Sequence, residues 1–263
     1  MRTTMKPPLI PHSHGLMLSD PMVVARHERR KTQTRRLISV ANTYVDGRRV
    51  SGKRWKEMAF DLAHAWVDPG PSPAGNAGPY LKATCADTCV SRLYPIYRPG
   101  DQLWWKECHK VMHTDSLTYY PELVDGRPIN MGDHLKEEYP IRLPLYRATD
   151  EDIALEYVNA DDEAERRVPW TPSMLMPRRW ARFVDTVVSC HPERLCQVTD
   201  ADAEAEGVVW NDQARYWHVP GLEVRHPFGA AGCYLELMKH LHGADIVERD
   251  PWVWVIGYRF GDV

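Results

Sequence analysis

Apolar positions change period several times along this chain, and each change marks a predicted element. Met22, Val23 and Val24 follow Ser19-Asp20-Pro21, where Asp20 can cap a helix and Pro21 can occupy its first turn without losing a hydrogen bond. The pattern predicts a helix that turns basic at Arg26 and stops near Lys31. Beyond it Thr32 and Thr34, β-branched at alternate positions, favour extended chain. Trp55, Met58, Ala59, Leu62 and Trp66 stand at helical spacing and predict one helix over 55–66. Arg98-Pro99-Gly100-Asp101 reads as a turn, and Leu103 to Glu107 as the strand after it. Leu145 to Ala148 is a short strand. Arg182 to Cys190, with Val184, Val187 and Val188, is a core strand.

The C-terminal third is patterned more regularly. Thr199-Asp200-Ala201-Asp202 has the form of a capping box with Asp in place of Glu. The helix it opens should end at Glu206, with Gly207 taking the left-handed cap. Phe228, Ala231, Tyr234, Leu235, Met238 and Leu241 trace one apolar stripe of a longer helix. Pro251 to Phe260 is the clearest strand, apolar on both faces in its first half, as a central barrel strand would be. By contrast, residues 41–96 are poorly patterned and read as an insertion, with a flexible loop from Asp68 to Pro79. A Tyr-rich segment from His109 to Pro140 is equally irregular, and residues 1–14 read as a flexible tail. Separated strands with two or three helices make an α+β fold, here a single domain over 15–263.

Composition narrows the function. With 43% hydrophobic and 26% charged residues, the chain is globular, and disorder throughout is excluded. Ten Trp and 12 Tyr against four Phe suit either base stacking or an ordinary core. A net charge of −3 supplies no overall field toward nucleic acid, so such binding needs a local patch. One candidate patch runs from Arg26 to Lys56. No apolar run reaches the ~20 residues a membrane span needs, so no membrane partner is expected. Neither a P-loop nor a GxGxxG turn occurs, which argues against triphosphate hydrolysis and dinucleotide redox chemistry. Six cysteines make no disulfide framework, which points to the cytoplasm. Cys85, Cys89, Cys108 and His113 are of types zinc accepts, but their spacing is loose and no metal or other cofactor is assigned.

Arg29-Arg30-Lys31-Thr32-Gln33-Thr34-Arg35-Arg36 resembles the ASCH-domain signature Gly-x-Lys-x-x-Thr-x-Arg. The Pro99-Gly100-Asp101 turn, Tyr146-Arg147-Ala148, Trp170 to Ser173, Met176-Pro177-Arg178, Glu193-Arg194-Leu195, Ala203 to Gly207 and Asp250 to Ile256 resemble long ASCH-related proteins of phages and prophages. The resemblance covers about residues 15–40 and 97–263. It implies a PUA-like β-barrel with flanking helices and a cleft beside the signature, in a superfamily that binds RNA or modified bases. Certain small bacterial members remove the acetyl group of N4-acetylcytidine with a lysine, a threonine and a glutamate. On this chain those fall at Lys31, Thr34 and Glu206. Arg29 stands where the pattern has glycine, so the left-handed turn must be made otherwise. Leu175 stands where relatives often carry His.

Amide hydrolysis needs a nucleophile, a base for its proton and an acid for the leaving amine. Lys31, its charge disfavoured by burial beside Arg30, Arg35 and Arg36, would be the base. Thr34 would be the nucleophile or position a water, and Glu206 would be the acid. Arg30, Arg35, Arg36 and Arg178 would hold phosphate or base, Arg36 through its planar fork. The expected partner is a nucleoside or RNA, with DNA open. Two other readings remain at this point: a non-catalytic RNA or modified-base reader, and a phage assembly protein using the barrel as scaffold.

Overall fold

The structure, a computed structural model, describes residues 11–70, 79–86, 89–113, 142–150, 156–158, 165–167 and 169–261. The chain forms two compact units. The first comprises Met1–His14, Ala25–Trp104 and Phe183–Val263, and the second Gly15–Val24 and Trp105–Arg182. Of the segments read as irregular, residues 1–10, 71–78 and 114–141 lie outside those described.

The elements begin with β1 (Ser13–Met17), α1 (Asp20–His27), β2 (Gln33–Leu37) and β3 (Thr43–Val45). Then come α2 (Gly52–Met58), β4 (Asp61–Asp68), β5 (Tyr80–Thr84), β6 (Val90–Pro95) and β7 (Gln102–Lys106). The second unit adds β8 (His109–His113), β9 (Arg142–Tyr146), α3 (Arg147–Asp150), β10 (Glu156–Val158) and β11 (Glu165–Arg167). Back in the first unit lie β12 (Val184–Arg194), α4 (Asp200–Ala205), β13 (Val209–Asn211), β14 (Tyr216–His218) and β15 (Arg225–His226). The chain closes with α5 (Ala230–His242), α6 (Ile246–Arg249) and β16 (Trp252–Arg259).

This is a mixed α+β architecture. The main sheet has the order β1-β7-β12-β16-β2, and β12, β16 and β2 run antiparallel. Among the described residues no sheet closes into a barrel. β16 lies between β12 and β2, and Trp252 to Ile256 are all buried, which is why its first half is apolar on both faces. Trp254 donates its indole N–H to Thr43 Oγ1 at 3.1 Å, so its one polar atom is satisfied in the core. Below the same unit, Arg26 stacks between the rings of Phe183 (4.3 Å) and Phe260 (4.8 Å) and binds the fully buried Asp185.

The region read as an insertion is more ordered than its pattern suggests. It contains a four-stranded antiparallel sheet of order β3-β6-β5-β4. Leu81 and Leu93 face each other across β5 and β6, both fully buried. The helix expected over 55–66 is instead α2 followed by a strand. Ala59 takes a left-handed conformation (φ 41°) that ends α2 at Met58. After it, β4 pairs with β5, while Leu62 and Ala63 give their carbonyls to Trp252 and Arg194. Those tertiary bonds override a coincidental helical spacing.

At the turn between β5 and β6 the antiparallel register brings Cys85 and Cys89 to a Cα separation of 5.6 Å, and they form a disulfide. One bridge therefore exists, and the other four cysteines are free, so the six make no framework. The bridge also removes both thiols from any zinc site with Cys108, and the side chain of His113 lies outside what is described. Among the described residues no group of three metal-ligating side chains occurs, and no helix is long and apolar enough to cross a membrane.

Candidate functional site: a buried lysine–glutamate pair

The signature segment is held by backbone bonds on three sides. At the end of α1 the N–H groups of Arg30 and Lys31 both return to the carbonyl of Ala25, at 2.9 and 3.1 Å. Arg29 takes φ 58°, so the left-handed turn usually given to glycine is made here by an arginine. Tyr258 donates its hydroxyl to the Lys31 carbonyl at 2.8 Å, and Thr32 N–H meets the Ala205 carbonyl at 2.9 Å. These bonds fix the Lys31 backbone beside the end of α4.

The far side is equally well determined. Thr199 accepts from Asp202 N–H while the Asp202 carboxylate accepts from Thr199 N–H, which is the capping box read from the sequence. Glu206 is the last residue of the helical turn, and Gly207 has φ +105°. A side chain at Gly207 would also put a Cβ 3.0 Å from that of Ala25, so the two backbones approach because this residue is glycine.

Between these supports Lys31 Nζ donates to Glu206 Oε2 at 2.5 Å and to the Glu206 carbonyl at 3.1 Å. Both residues are almost fully enclosed, at 2% and 3% exposure. Arg35 adds a second cation. It reaches Glu206 Oε1 at 3.5 Å, Glu193 Oε1 at 3.1 Å and Asp202 Oδ2 at 3.3 Å. The antiparallel register explains the Glu193 contact: Arg35 opposes Val255, Val255 opposes His191, and Glu193 lies two residues along that same face.

Electrostatics separate the two cations. Burial lowers the Lys31 pKa from the ordinary lysine value, Glu206 offsets only part of this, and Arg36 and Arg35 push it further down. Burial also disfavours charge on Arg35, but Glu206 and its other anionic neighbours outweigh it and its pKa is raised. Asp202 is held down to about 2: burial opposes its charge, and the bonds from Thr199 and Gln33, with Arg35 nearby, win. Burial pushes the Tyr234 hydroxyl well above its ordinary range, so it stays neutral. The site therefore holds a permanently charged arginine and a lysine whose pKa lies below its ordinary value.

The other residues singled out in the sequence fall in different places. Thr34 is buried at 3% exposure, but the pleat turns it away from Gln33 and Arg35, onto the face of Ile256 and Cys190. No hydrogen bond joins it to Lys31 or Glu206 among the described residues. Arg36 lies half-buried on Thr34's face, opposite Trp254. Arg30 is half-buried, bonded to Glu28 Oε2 at 2.7 Å and to the Gly207 carbonyl at 3.2 Å. Arg178 is exposed in a short 3-10 turn of the second unit, and Leu175 is 65% exposed.

The basic run is thus not one patch. Arg26, Lys31 and Arg35 are buried in ion pairs, whereas Arg48, Arg49, Lys53, Arg54 and Lys56 form an exposed group on and before α2. Sequence reasoning missed Glu193, Asp202 and Tyr234 as parts of the charge network. The capping box signalled Asp202, but nothing local signalled the other two. No protein-family model matches the chain, and neither the curated proteins nor the solved structures contain a significant match to it.

Proposed function

We propose that this chain has an ASCH-type, PUA-like fold and hydrolyses the exocyclic amide of an N4-acylated cytosine in a nucleoside or RNA. The observation that carries the reading is the buried contact between Lys31 and Glu206, with the lysine pKa lowered by its enclosure. Transfer of one proton from Lys31 to Glu206 across that contact would leave a base and an acid side by side, the pair that amide hydrolysis needs. Lys31 accepts the proton of the attacking water as its oxygen bonds to the acyl carbon. Glu206 gives its proton to N4 as the carbon–nitrogen bond breaks. Cytosine amine and a carboxylic acid result, and no cofactor enters. Thr34 makes no bond to the pair and lies on the face of β2 turned away from Arg35, so it is given no part in this step.

A second reading has its own support. Lys31 and Glu206 are enclosed and satisfy each other. A pair of that kind also suits a non-catalytic protein that binds RNA or a modified base, with the network as a rigid wall of its pocket.

Incubation of the purified chain with N4-acetylcytidine distinguishes them. The first reading expects release of cytidine, lowered on the order of 100-fold or more in Lys31→Arg and in Glu206→Gln. Lys31→Arg keeps the charge and removes the titratable amine. Thermal melts establish that each variant is folded. Binding of N4-acetylcytidine without turnover supports the reader, and neither binding nor turnover removes both.

A further inference from the structure

A cavity lies in the first unit, lined by residues that the lysine–glutamate site does not use. Its volume is about 510 Å³, within the ~300–1,000 Å³ typical of small-molecule sites. Leu37, Ile246 and Trp252 supply apolar wall, and Arg194, His242 and Arg249 supply the ionisable groups. No carboxylate lines it.

The charge balance is uneven. Arg249 is matched by Asp245, with Nε 2.8 Å from Oδ2. Arg194 has no carboxylate partner among the described residues. Its guanidinium lies 4.5 Å from the centre of the Trp252 ring and donates to two neutral acceptors, the carbonyls of Asp250 (2.9 Å) and Ala63. Those bonds and the stack hold the planar fork in place while leaving its charge unneutralised. Burial, then Arg36 and Arg249, lowers the pKa of His242 on the cavity wall. Trp252 is held in turn by its indole N–H on the Leu62 carbonyl at 2.9 Å. A fixed, uncompensated arginine beside an apolar wall is what an organic anion requires, since a planar fork suits a carboxylate or phosphate and the wall takes the hydrocarbon.

We propose that this cavity binds a small organic anion with an aromatic or aliphatic body, its acidic group on Arg194 and its body against Trp252, Leu37 and Ile246. The site stands independently of the hydrolase reading.

Titration of the full chain with 1-naphthaleneacetate and with its neutral isostere 1-naphthaleneacetamide tests this, read by naphthalene fluorescence. The acetate should bind roughly tenfold or more tightly than the amide, the factor expected from one charge-assisted contact. Arg194→Met should erase that preference. Because Arg194 also ties two backbone carbonyls, a second variant, Ala63→Trp, adds bulk at the cavity wall while keeping every ionisable side chain and should weaken the acetate roughly tenfold. Equal binding of acetate and amide by the wild type would overturn the proposal. So would undiminished acetate binding in a folded Ala63→Trp protein.

Discussion

Each unit of this molecule buries a carboxylate against a cation, and the two pairs differ in what they can do. In the second unit Glu107 is fully buried and meets Arg182 through Nε at 3.1 Å and Nη2 at 2.7 Å. Arg182 also stacks 4.2 Å from the Tyr146 ring centre. Burial raises the Glu107 pKa, and the bonds from Arg182 offset only part of the rise. An arginine does not give up its proton, and a two-pronged contact defines one geometry. That pair is a clamp. Lys31 offers Glu206 a single ammonium whose pKa is lowered by burial. Enclosure of an arginine therefore leaves a fixed charge, whereas enclosure of a lysine lowers the pKa of a group able to release its proton.

Deletion of the cation separates the two pairs most. Arg182→Met strands Glu107 in a buried site with its main partner gone, and chemical denaturation should show a loss of about 3–5 kcal/mol. Lys31→Met leaves Glu206 with Arg35 at 3.5 Å, so the expected loss is smaller, about 1–3 kcal/mol. Equal losses would mean that Arg35 does not compensate.

The pH dependence sharpens the contrast. Lys31 has a folded pKa below its unfolded value of 10.5. Its contribution to stability is present above 10.5 and is lost as pH falls through the folded pKa. Glu107 has a folded pKa above 4.5, so its contribution is present below 4.5 and is lost as pH rises through the folded value. Melting temperature against pH should thus lose an alkaline rise in Lys31→Met and an acid-side fall in Glu107→Gln. Smaller effects test the supports of the lysine site. Thr199→Ala removes the cap of α4 and should cost about 1 kcal/mol. Arg29→Gly relieves a left-handed arginine and should gain about 0.5 kcal/mol after the entropy of the extra glycine. A destabilised Arg29→Gly protein would show that the arginine side chain, 5.7 Å from the Phe260 ring, outweighs its backbone strain.

What was legible in the sequence follows from where the information resides. The capping box at Thr199, the left-handed Gly207 and the doubly apolar β16 are local signals, and each appears where it was read. The stripe read over 228–241 is offset from the face that packs: α5 buries Ala230, Cys233, Tyr234, Leu237 and Met238, whereas Phe228 and Leu241 are exposed. Lys31 and Glu206 were singled out 175 residues apart on a resemblance, and the structure brings them into contact. The four-stranded sheet over 43–95 was illegible because its strands are short and its edge strand is fixed by Trp252 and Arg194, about 130–190 residues away. Glu193 and Tyr234 were missed for the same reason: strand register and helix packing place them beside Arg35, and no neighbouring residue announces it.

The central claim is that the Lys31 proton is mobile. A direct test is titration of the lysine side chains by nuclear magnetic resonance, with ¹³C at the ε position and Lys31→Arg to assign the signal. The account predicts one lysine, absent from the variant, that titrates below the common lysine value of 10.5. A Lys31 signal that titrates with the exposed lysines, or above them, would contradict it and leave the pair a clamp like that of Glu107 and Arg182.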